Sequence, residues 1–324
     1  MKIAILGAGS LGCAMGGVLA EAGNDVWLIN RNAKLVDVLN SKGLTLRDGG
    51  VDRVVRGQAA TSAQTVVMHV GTVDLVVVLV KSFDTAAAMT AAMTLLGPKT
   101  SVLSLQNGVG HEEILAELVG RERVIGGKTY AGGSQLGLGY ISIGTRGKET
   151  IIGELDGGLN GEVTERTTQI AALFTAAGLQ TTVSSNIMQT IWEKLLVNVS
   201  TGALCAITGL PYGELYAVPE VETTAIAAVA EAMAVAKASG VVLTTTDPKQ
   251  PWLKAAAGLP PEFKTSMLQS PEKGTITEID YINGAVVRQG EKYGIPTPVN
   301  QTLVACIKGI EATLHLRRNN ESDN

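Results

Sequence analysis

A short apolar stretch followed at once by three spaced glycines is the feature that most limits what this chain can fold into. Lys2–Leu6 is typical of a buried strand, the glycines fall at Gly7, Gly9 and Gly12, and small residues predict a helix over Leu11–Ala22. The pattern GxGxxG, placed between a strand and a helix, is typical of a dinucleotide-binding turn. The sequence therefore predicts a parallel α/β sheet with a nucleotide site at its first turn.

The whole turn is predicted to bind the pyrophosphate of the dinucleotide. Gly7 permits the tight turn, Gly9 lets the backbone approach the pyrophosphate, and Gly12 allows the helix to pack closely on the strand. The positive end of the helix favours the negative charge. The alternative is a glycine-rich turn that binds no ligand. The predicted cofactor contacts in this turn are Gly7, Ala8, Gly9, Ser10, Leu11 and Gly12.

Strand and helix patterns continue to alternate through the first half of the chain. Continuous apolar stretches at Asp25–Ile29, Asp74–Val80 and Ser101–Leu105 predict strands that are buried on both faces of a sheet. Helices are expected between them, over Asn32–Asn40 and Thr85–Leu96. This alternation predicts right-handed βαβ units and a doubly wound sheet of the Rossmann type.

The pattern changes twice before the chain ends. Around residues 127–155 glycines are frequent and the strands are expected to be antiparallel. After residue 185 the strand patterns stop, and we predict two domains, a Rossmann-type domain over 1–185 and an all-helical domain over 186–324. The later elements are predicted as strands at Tyr140–Gly144, Thr150–Gly153 and Gln180–Val183 and helices at Val163–Ala177, Ile187–Ala203, Val221–Ala238, Gly274–Tyr293 and Gln301–Leu314.

The end of the second predicted strand bears on the choice of cofactor. Dinucleotide sites that bind NAD usually place a carboxylate there for the ribose 2′-hydroxyl, but this chain has Asn30 and Arg31. A carboxylate would repel a 2′-phosphate, whereas a guanidinium can bind it with two hydrogen bonds. The sequence therefore favours NADPH over NADH, with Asn30 and Arg31 as cofactor contacts. The alternative for Arg31 is an ordinary surface arginine.

Two polar residues follow later strands of the same sheet. Lys81 follows the apolar stretch that ends at Val80, and Asn107 follows the stretch that ends at Leu105. Ligands of open α/β sheets bind outside the carboxyl ends of the strands, so Lys81 could bind a phosphate and Asn107 could orient a carbonyl or a ribose. For each residue the alternative is a turn or a solvent-exposed side chain.

The helical half contains a second group of candidate residues. Lys194 and Asn198 are four residues apart and therefore share one face of a helix, whereas Glu193 points elsewhere. Lys194 is either a surface lysine with a buried stem or a functional ammonium. Glu278 is expected near the start of the helix predicted over Gly274–Tyr293, where the helix dipole would favour a carboxylate.

Composition excludes several classes of function. The chain has 26 Lys and Arg against 30 Asp and Glu, with no basic stripe, which argues against a nucleic-acid partner. Three cysteines without CxxC spacing and three histidines without an HxxxH pair argue against a metal site. No apolar stretch reaches the roughly 18 residues of a membrane span, and the early glycines would break a signal helix, so we expect a cytoplasmic protein.

Taken together, these segments resemble the ketopantoate reductase family over nearly the whole chain. The stretch at 277–287 is the most specific to that family, and it follows the lysine-bearing helix in the family's order. The segments that carry the resemblance are GAGSLG at 7–12, Arg31, Lys81, QNG at 106–108, WEKLLVN at 192–198, TSMLQ at 265–269 and TEIDYINGAVV at 277–287.

The resemblance implies hydride transfer from NADPH to a 2-oxo acid, giving a D-2-hydroxy acid. It implies that Lys194 protonates the developing alkoxide and that Glu278 binds a hydroxyl of the substrate. An ammonium near an oxygen that gains negative charge stabilises it and supplies the proton. The other roles that the resemblance implies are substrate binding by Asn198 and Ser266, a position between cofactor and substrate for Asn107, and a position near the cofactor for Lys81.

The sequence departs from the family at the border of the implied substrate pocket. Family members often carry Asn where this chain has Gly202 and Tyr212, which leaves the identity of the 2-oxo acid open. Ketopantoate, reduced to (R)-pantoate for pantothenate and coenzyme A biosynthesis, is the first expectation. The alternatives are a related D-2-hydroxy acid dehydrogenase and a non-catalytic NADPH-binding sensor. A monomer and a homodimer are both compatible with the sequence.

Overall fold

The structure is a computed structural model that describes residues 1–145, 147–156 and 163–322, with side chains described as far as Leu314. The chain forms two compact units. The first unit comprises Met1–Gln106 and His111–Thr190, and the second comprises Asn107–Gly110 and Ile191–Asn324. A single boundary after residue 185 stays a prediction.

All strands of the described residues lie in the first unit. In chain order they are β1 (Lys2–Leu6), β2 (Asp25–Ile29), β3 (Leu44–Asp48), β4 (Val51–Val55), β5 (Gln58–Ala60), β6 (Val73–Val78), β7 (Leu96–Ser104), β8 (Val124–Thr129), β9 (Gly132–Gly137), β10 (Tyr140–Gly144), β11 (Thr150–Glu154) and β12 (Thr181–Val183). They form a main sheet of eight strands and a second sheet of four. The order of the main sheet is β5-β2-β1-β6-β7-β8-β11-β12.

The main sheet has the strand order of a doubly wound dinucleotide-binding fold. β1 pairs in parallel with both β2 and β6, so the chain order reverses direction between β1 and β6. Ligands of such sheets bind at the carboxyl ends of the strands on either side of this point. The predicted Rossmann-type fold is therefore confirmed, and the glycine turn after β1 lies at its switch point. β11 runs antiparallel to β8, as the sequence predicts.

The helices of the first unit connect these strands. They are α1 (Ser10–Glu21), α2 (Ala33–Lys42), α3 (Ala63–Val70), α4 (Thr85–Ala91), α5 (His111–Val119) and α6 (Glu165–Ala176). α1 packs against both sheets, which requires small residues on two of its faces. A Cβ on Gly16 would lie 2.5 Å from Leu28 in the main sheet, and one on Gly17 would lie 2.7 Å from Leu44 in the second sheet. These glycines let α1 join the two sheets through one core.

The second unit is helical in the described residues. Its helices are α7 (Ile187–Thr208), α8 (Tyr212–Leu215), α9 (Pro219–Ala238), α10 (Lys249–Ala256), α11 (Ser266–Glu272), α12 (Asn283–Tyr293) and α13 (Pro298–Ser322). The alanines of α9 make its buried face, with Ala225, Ala228 and Ala232 fully buried, and this small-residue face allows close packing against α12 and α13. The predicted change from strands to helices in the second half is confirmed.

The predicted helix over Gly274–Tyr293 is wrong in its first half. The α-helix begins only at Asn283, and Ile279–Tyr281 forms a single 3-10 turn before it. Ile282 breaks the two apart, because its φ of −110° and ψ of −95° are not helical. The apolar spacing that suggested a helix includes Ile276, whose side chain is exposed. Glu278 therefore does not lie at the start of an α-helix, and the expected helix-dipole explanation for it fails.

The predicted helix over Thr85–Leu96 is also too long. α4 ends at Ala91, and β7 begins at Leu96 and includes Pro98. The register between β6 and β7 shifts between Val73 and Leu75, which accommodates the proline at the irregular end of the pairing. The second sheet was not predicted either, apart from β10, because its strands are half exposed and rich in glycine and charge.

Candidate active site

The geometry of the first turn explains each of its glycines. Gly7 has a φ of 104°, and a Cβ there would lie 2.4 Å from the backbone nitrogen of Val80. A Cβ on Gly12 would lie 2.3 Å from the carbonyl oxygen of Gly7, so the close approach of α1 to the turn depends on glycine. Gly9 is exposed, and a Cβ there would meet nothing within 4 Å. The surface above Gly9 is therefore open, as backbone contact with a phosphate requires.

The start of α1 suits an anion. Gly9 is the residue before the helix, the first turn of α1 carries no acidic side chain, and Ser10 and Leu11 are only half-buried. The unpaired N–H groups and the helix dipole at such an end attract negative charge. Beneath the turn, the Cys13 thiol donates to the Ala8 carbonyl oxygen over 3.3 Å, and burial raises the pKa of Cys13 to about 12. Cys13 thus stays neutral and adds no charge that would oppose a phosphate.

A small pocket lies beside this turn within the first unit. It has a volume of about 140 Å³, and its lining includes Gly9, Ser10, Asn30 and Asn32 from the main-sheet side. Leu138, in the connection between β9 and β10, closes the other side. The second sheet, of which the sequence predicts only β10, therefore contributes a wall to the predicted cofactor site.

Asn30 links the two loops that the cofactor site needs. Its side-chain N–H donates to the Ala8 carbonyl oxygen over 2.7 Å, and its amide oxygen accepts from the backbone N–H of Asn32 over 2.9 Å. Asn30 therefore fixes the end of β2 to the glycine turn. Its own contact with a cofactor stays a prediction.

Arg31 and Lys81 are both exposed at the carboxyl ends of their strands. The Arg31 guanidinium pairs with the Asp84 carboxylate over 2.9 Å, and 86% of the Arg31 side chain is exposed. Asp84 belongs to the 3-10 turn Ser82–Asp84, which Lys81 directly precedes. An ion pair this exposed contributes little to stability, so Arg31 can change partners at low cost. Asp84 is not among the residues predicted from the sequence, because it lies 53 residues from Arg31 and no local spacing ties the two together.

The structure brings Lys194 and Asn107 together in the second unit. The Lys194 ammonium donates to the Asn107 side-chain oxygen over 2.9 Å, and both residues are half-buried. Lys194 lies on α7, whereas Asn107 belongs to the four-residue segment Asn107–Gly110. An ammonium has three N–H donors, and the Asn107 amide oxygen accepts one of those of Lys194.

The segment that carries Asn107 is held by Tyr281. Gly108 has a φ of 97°, and a Cβ there would lie 2.2 Å from the Tyr281 carbonyl oxygen. The backbone N–H of Val109 donates to the same oxygen over 3.0 Å. Glycine is thus required at position 108 by both conformation and space, and the contact fixes Asn107 beside Lys194.

Asn198 and Gly202 lie on the same face of α7 as Lys194, and none of the three is exposed. Asn198 lies one turn further on and is half-buried, and Gly202 lies a second turn on. A Cβ on Gly202 would lie 3.5 Å from the end of the Met267 side chain, so the start of α11 packs near this face. Ser266 is the first residue of α11 and is exposed.

Glu278 occupies a buried position in the 3-10 turn region of the second unit. Only 8% of Glu278 is exposed, and its neighbours Thr277 and Ile279 are buried as well. The backbone N–H of Ile279 donates to the Thr277 hydroxyl over 3.1 Å. Burial of a carboxylate is costly, and hydrogen bonds or ion pairs must offset that cost.

Tyr212 is part of an aromatic cluster. Its ring lies 5.0 Å from that of Phe263 and 5.5 Å from that of Tyr216, measured between ring centroids. Its hydroxyl pairs with that of Thr201 over 3.0 Å, and burial raises its pKa to about 12. Tyr212 thereby braces α7 next to Gly202, with only 6% of its surface exposed.

The described residues contain neither a membrane-spanning helix nor a group of metal ligands. None of the helices in residues 1–145, 147–156 and 163–322 has a stretch long and apolar enough to cross a membrane. In the same part of the chain, no three His, Cys, Asp or Glu side chains are grouped so that they could hold a metal ion.

Comparison with known proteins gives matches along nearly the whole chain. Residues 3–157 match the family described as Ketopantoate reductase PanE/ApbA, and residues 186–311 match Ketopantoate reductase PanE/ApbA C terminal. A 2-dehydropantoate 2-reductase of Halobacterium salinarum is 34% identical, over 95% of this chain and 98% of the relative. Another, of Archaeoglobus fulgidus, is 32% identical over 97% of this chain and 99% of its own.

Solved structures of the same fold include two kinds of enzyme. A PanE/ApbA family ketopantoate reductase from Ralstonia eutropha JMP134 has a TM-score of 0.86 and 35% identity, and the match covers 97% of this chain and 100% of that one. A D-mandelate dehydrogenase, solved with NADH and anilino(oxo)acetate, has a TM-score of 0.88, 27% identity and the same coverage. With both halves matched in order, the chain belongs to the ketopantoate reductase family of NADP-dependent oxidoreductases.

Proposed function

We propose that this chain uses NADPH to reduce a 2-oxo acid to a D-2-hydroxy acid, with ketopantoate as the first substrate and (R)-pantoate as its product. The observation that carries the proposal is the Lys194 ammonium, half-buried on α7 and held by Asn107 at 2.9 Å. Reduction of a ketone builds negative charge on its oxygen, and an oriented ammonium stabilises that charge. The product would supply pantothenate and coenzyme A biosynthesis.

The first turn suits the pyrophosphate of the cofactor. The residues that would hold it are the backbone of Gly9, Ser10 and Leu11, at an open helix start without acidic side chains. Arg31 would bind the 2′-phosphate, since β2 ends without a carboxylate and Arg31 is exposed. When bound, NADPH supplies the hydride, and the protein supplies binding and orientation.

Lys194 is proposed as the proton donor. Its ammonium would hydrogen-bond the carbonyl oxygen of the substrate and give it a proton as that oxygen becomes an alkoxide. Asn107 accepts one of the three N–H groups and so fixes the direction of the other two. Asn198, one turn along the same face, and Ser266, at the start of α11, are proposed to bind the substrate.

Glu278 is proposed to accept a hydrogen bond from the terminal hydroxyl of ketopantoate. Its burial makes this contact selective, because a substrate without the hydroxyl would place an apolar group against a buried carboxylate. Enzymes that bind a hydroxyl in this way reject analogues that lack it far more strongly than a hydrophobic pocket rejects a smaller group.

A substrate panel tests the proposal. NADPH oxidation would be followed with ketopantoate, 2-oxoisovalerate, phenylpyruvate and phenylglyoxylate, and kcat/KM compared on one preparation. We expect ketopantoate to be preferred, and Glu278→Ala to narrow its advantage over 2-oxoisovalerate, which lacks the hydroxymethyl group. Cofactor binding without turnover on any of the four acids would instead favour the sensor.

A second candidate is a D-2-hydroxy acid dehydrogenase that acts on an apolar or aromatic 2-oxo acid. It is favoured by Gly202, which adds no side chain to the Lys194 face and leaves Met267 as the nearest group. The similarity to a D-mandelate dehydrogenase agrees with this candidate. A higher kcat/KM for phenylglyoxylate or phenylpyruvate than for ketopantoate would establish it.

We propose a cytoplasmic location and either a monomer or a homodimer. The location follows from the coenzyme A pathway that the product would enter. The two assembly states are distinguished by light scattering of the eluting protein at micromolar concentration, since a homodimer would show twice the mass of the 324-residue chain.

A further inference from the structure

The backbone on both sides of Glu278 is held by two side chains of α13. Glu311 accepts hydrogen bonds from the backbone N–H and the hydroxyl of Thr277, each over 2.7 Å. Lys308 donates to the Asp280 carboxylate over 2.5 Å. Thr277 precedes Glu278 directly and Asp280 follows two residues later, so the two anchors enclose the proposed substrate-binding residue.

The two anchoring side chains, Lys308 and Glu311, also contact each other on α13. Lys308 and Glu311 are three residues apart, and the Lys308 ammonium lies 3.1 Å from the second oxygen of the Glu311 carboxylate. Only 8% of Glu311 is exposed, whereas 44% of the Lys308 side chain is. Each oxygen of a buried carboxylate is thus engaged, one by Thr277 and the other by Lys308. Burying an ionised carboxylate costs desolvation free energy, which a solvent-exposed carboxylate does not lose.

Local structure alone does not fix Glu278. The segment is a single 3-10 turn, Ile279–Tyr281, bounded by the non-helical Ile282. A 3-10 turn of this length has few backbone hydrogen bonds of its own, and short segments of this kind open easily when tertiary contacts are lost. The position of the Glu278 carboxylate therefore depends on contacts from outside the turn.

We propose that Glu311 and Lys308 are positioning residues for substrate recognition, which act by holding the turn that carries Glu278. The proposal rests on the proposed function of Glu278 as the group that binds the substrate hydroxyl. The same turn ends at Tyr281, whose carbonyl oxygen holds the Asn107 segment through Val109. One pair of side chains on α13 thus holds the residues on both sides of Glu278. Through Tyr281, the same turn also contacts the segment that carries Asn107.

The test combines variants at both ends of the contact. Glu311→Gln keeps one acceptor oxygen but removes the negative charge and replaces the oxygen that pairs with Lys308 by an NH2 group, and Thr277→Val removes the donated hydroxyl. Thr277→Ser keeps the hydroxyl and serves as the matched rescue. Lys308→Met removes the second anchor. Because 44% of the Lys308 side chain is exposed, we expect this variant to fold even if Glu311→Gln does not.

We expect Glu311→Gln and Thr277→Val to raise KM for ketopantoate about tenfold, with a smaller change in kcat, as loss of a substrate-positioning contact predicts. The preference for ketopantoate over 2-oxoisovalerate should fall by a similar factor, while the Kd for NADPH, measured by its fluorescence, stays unchanged. Thr277→Ser should restore the preference, and Lys308→Met should lower it in the same direction.

A double-mutant cycle with Glu278→Ala decides whether Glu311 positions Glu278 or only stabilises the fold. In the Glu278→Ala background, Glu311→Gln should have no further effect on substrate preference, because the residue that it positions is gone. Equal loss for both substrates, or the same loss with and without Glu278, would overturn the proposal.

Failure of the positioning proposal can be distinguished from failure of the proposed function. If the wild-type chain prefers 2-oxoisovalerate, the hydroxyl role of Glu278 has failed, and the same cycle is then run on KM for the preferred substrate. Coupling between Glu311 and Glu278 in that cycle would still support positioning, and additivity would refute it.

Discussion

Lys194 is the residue on which the proposed chemistry depends most directly. Lys194→Ala should lower kcat by roughly 10²–10⁴, the usual effect of losing a general acid. The Kd for NADPH should barely change, because the proposed phosphate contacts are made by the first turn. Lys254→Ala, at an exposed lysine on α10, is the control and should retain activity. Near-normal kcat in Lys194→Ala would leave Lys194 as a surface lysine with a buried stem.

Arg31 should decide between the two nicotinamide cofactors. Arg31→Ala is expected to weaken NADPH binding by about 1.5–3 kcal/mol, the range for a hydrogen bond to a charged group, and to leave NADH binding almost unchanged. Titration of both cofactors measures this, with Arg56→Ala as the exposed-arginine control. Equal weakening of both cofactors would show that Arg31 does not bind the 2′-phosphate.

Asp84 should oppose the same selectivity. Its carboxylate pairs with Arg31 over 2.9 Å, so it both competes for the guanidinium and repels a phosphate bound there. Asp84→Asn should therefore tighten NADPH binding by about threefold to tenfold, the size expected for one charge at this range in water. NADH, which lacks the phosphate, should show little change. Weaker NADPH binding in this variant would mean that Asp84 orients Arg31 instead.

At the scale of elements, the Asn107–Gly110 segment offers a matched pair of substitutions. Gly108 and Gly110 have φ angles of 97° and 107°, but only a Cβ on Gly108 would meet a neighbour, the Tyr281 carbonyl oxygen at 2.2 Å. Both alanine variants carry backbone strain of about 1–3 kcal/mol. Gly108→Ala should in addition displace Asn107 and lower kcat, whereas Gly110→Ala should lose stability alone. Thermal unfolding and kcat, measured together, separate the two effects.

The loop after α9 is joined to α7 by the Glu193 carboxylate, whose contribution to stability depends on pH. Burial acts to raise the pKa of Glu193, but hydrogen bonds from the hydroxyls and backbone N–H groups of Thr245 and Thr244 outweigh it and hold the pKa below its usual 4.5. A carboxyl group whose pKa is lower in the folded state stabilises the folded protein at pH values above its unfolded pKa. This stabilisation is lost as the pH falls through the pKa of the folded state. The contribution of Glu193 should thus be complete at neutral pH and decline below about pH 4.5.

Glu193→Gln should therefore lower Tm at pH 7 and lose this difference from wild type as the pH falls toward 3. Thermal unfolding from pH 7 to pH 3 measures the effect, and Glu220→Gln, at an exposed position on α9, is the control. A Tm difference that stays constant over this range would show that ionisation of Glu193 does not stabilise the folded protein.

Across the whole molecule, the features that follow from local sequence patterns were predicted. The features that depend on contacts between residues far apart in the sequence were missed. The glycine turn, β1, β2 and the change to helices are local patterns, and each was predicted within a few residues. The helix over Gly274–Tyr293 failed because Glu311 and Lys308 hold its first part in a different conformation, and no local spacing reveals residues that far along the chain. The pairing of Arg31 with Asp84 was missed for the same reason.

The membership of Asn107–Gly110 in the second unit has a consequence for inheritance. Four residues encoded in the middle of the first unit complete a contact with Tyr281, encoded near the end of the chain. Recombination between two related genes at a point near residue 190 would bring the four residues from one parent together with Tyr281 from the other. Such hybrids keep the Lys194–Asn107 pair only where the parent that supplies residues 107–110 has a glycine at 108 and the other parent has a compatible backbone path at 281. Selection should therefore act on these two distant stretches as a single inherited trait.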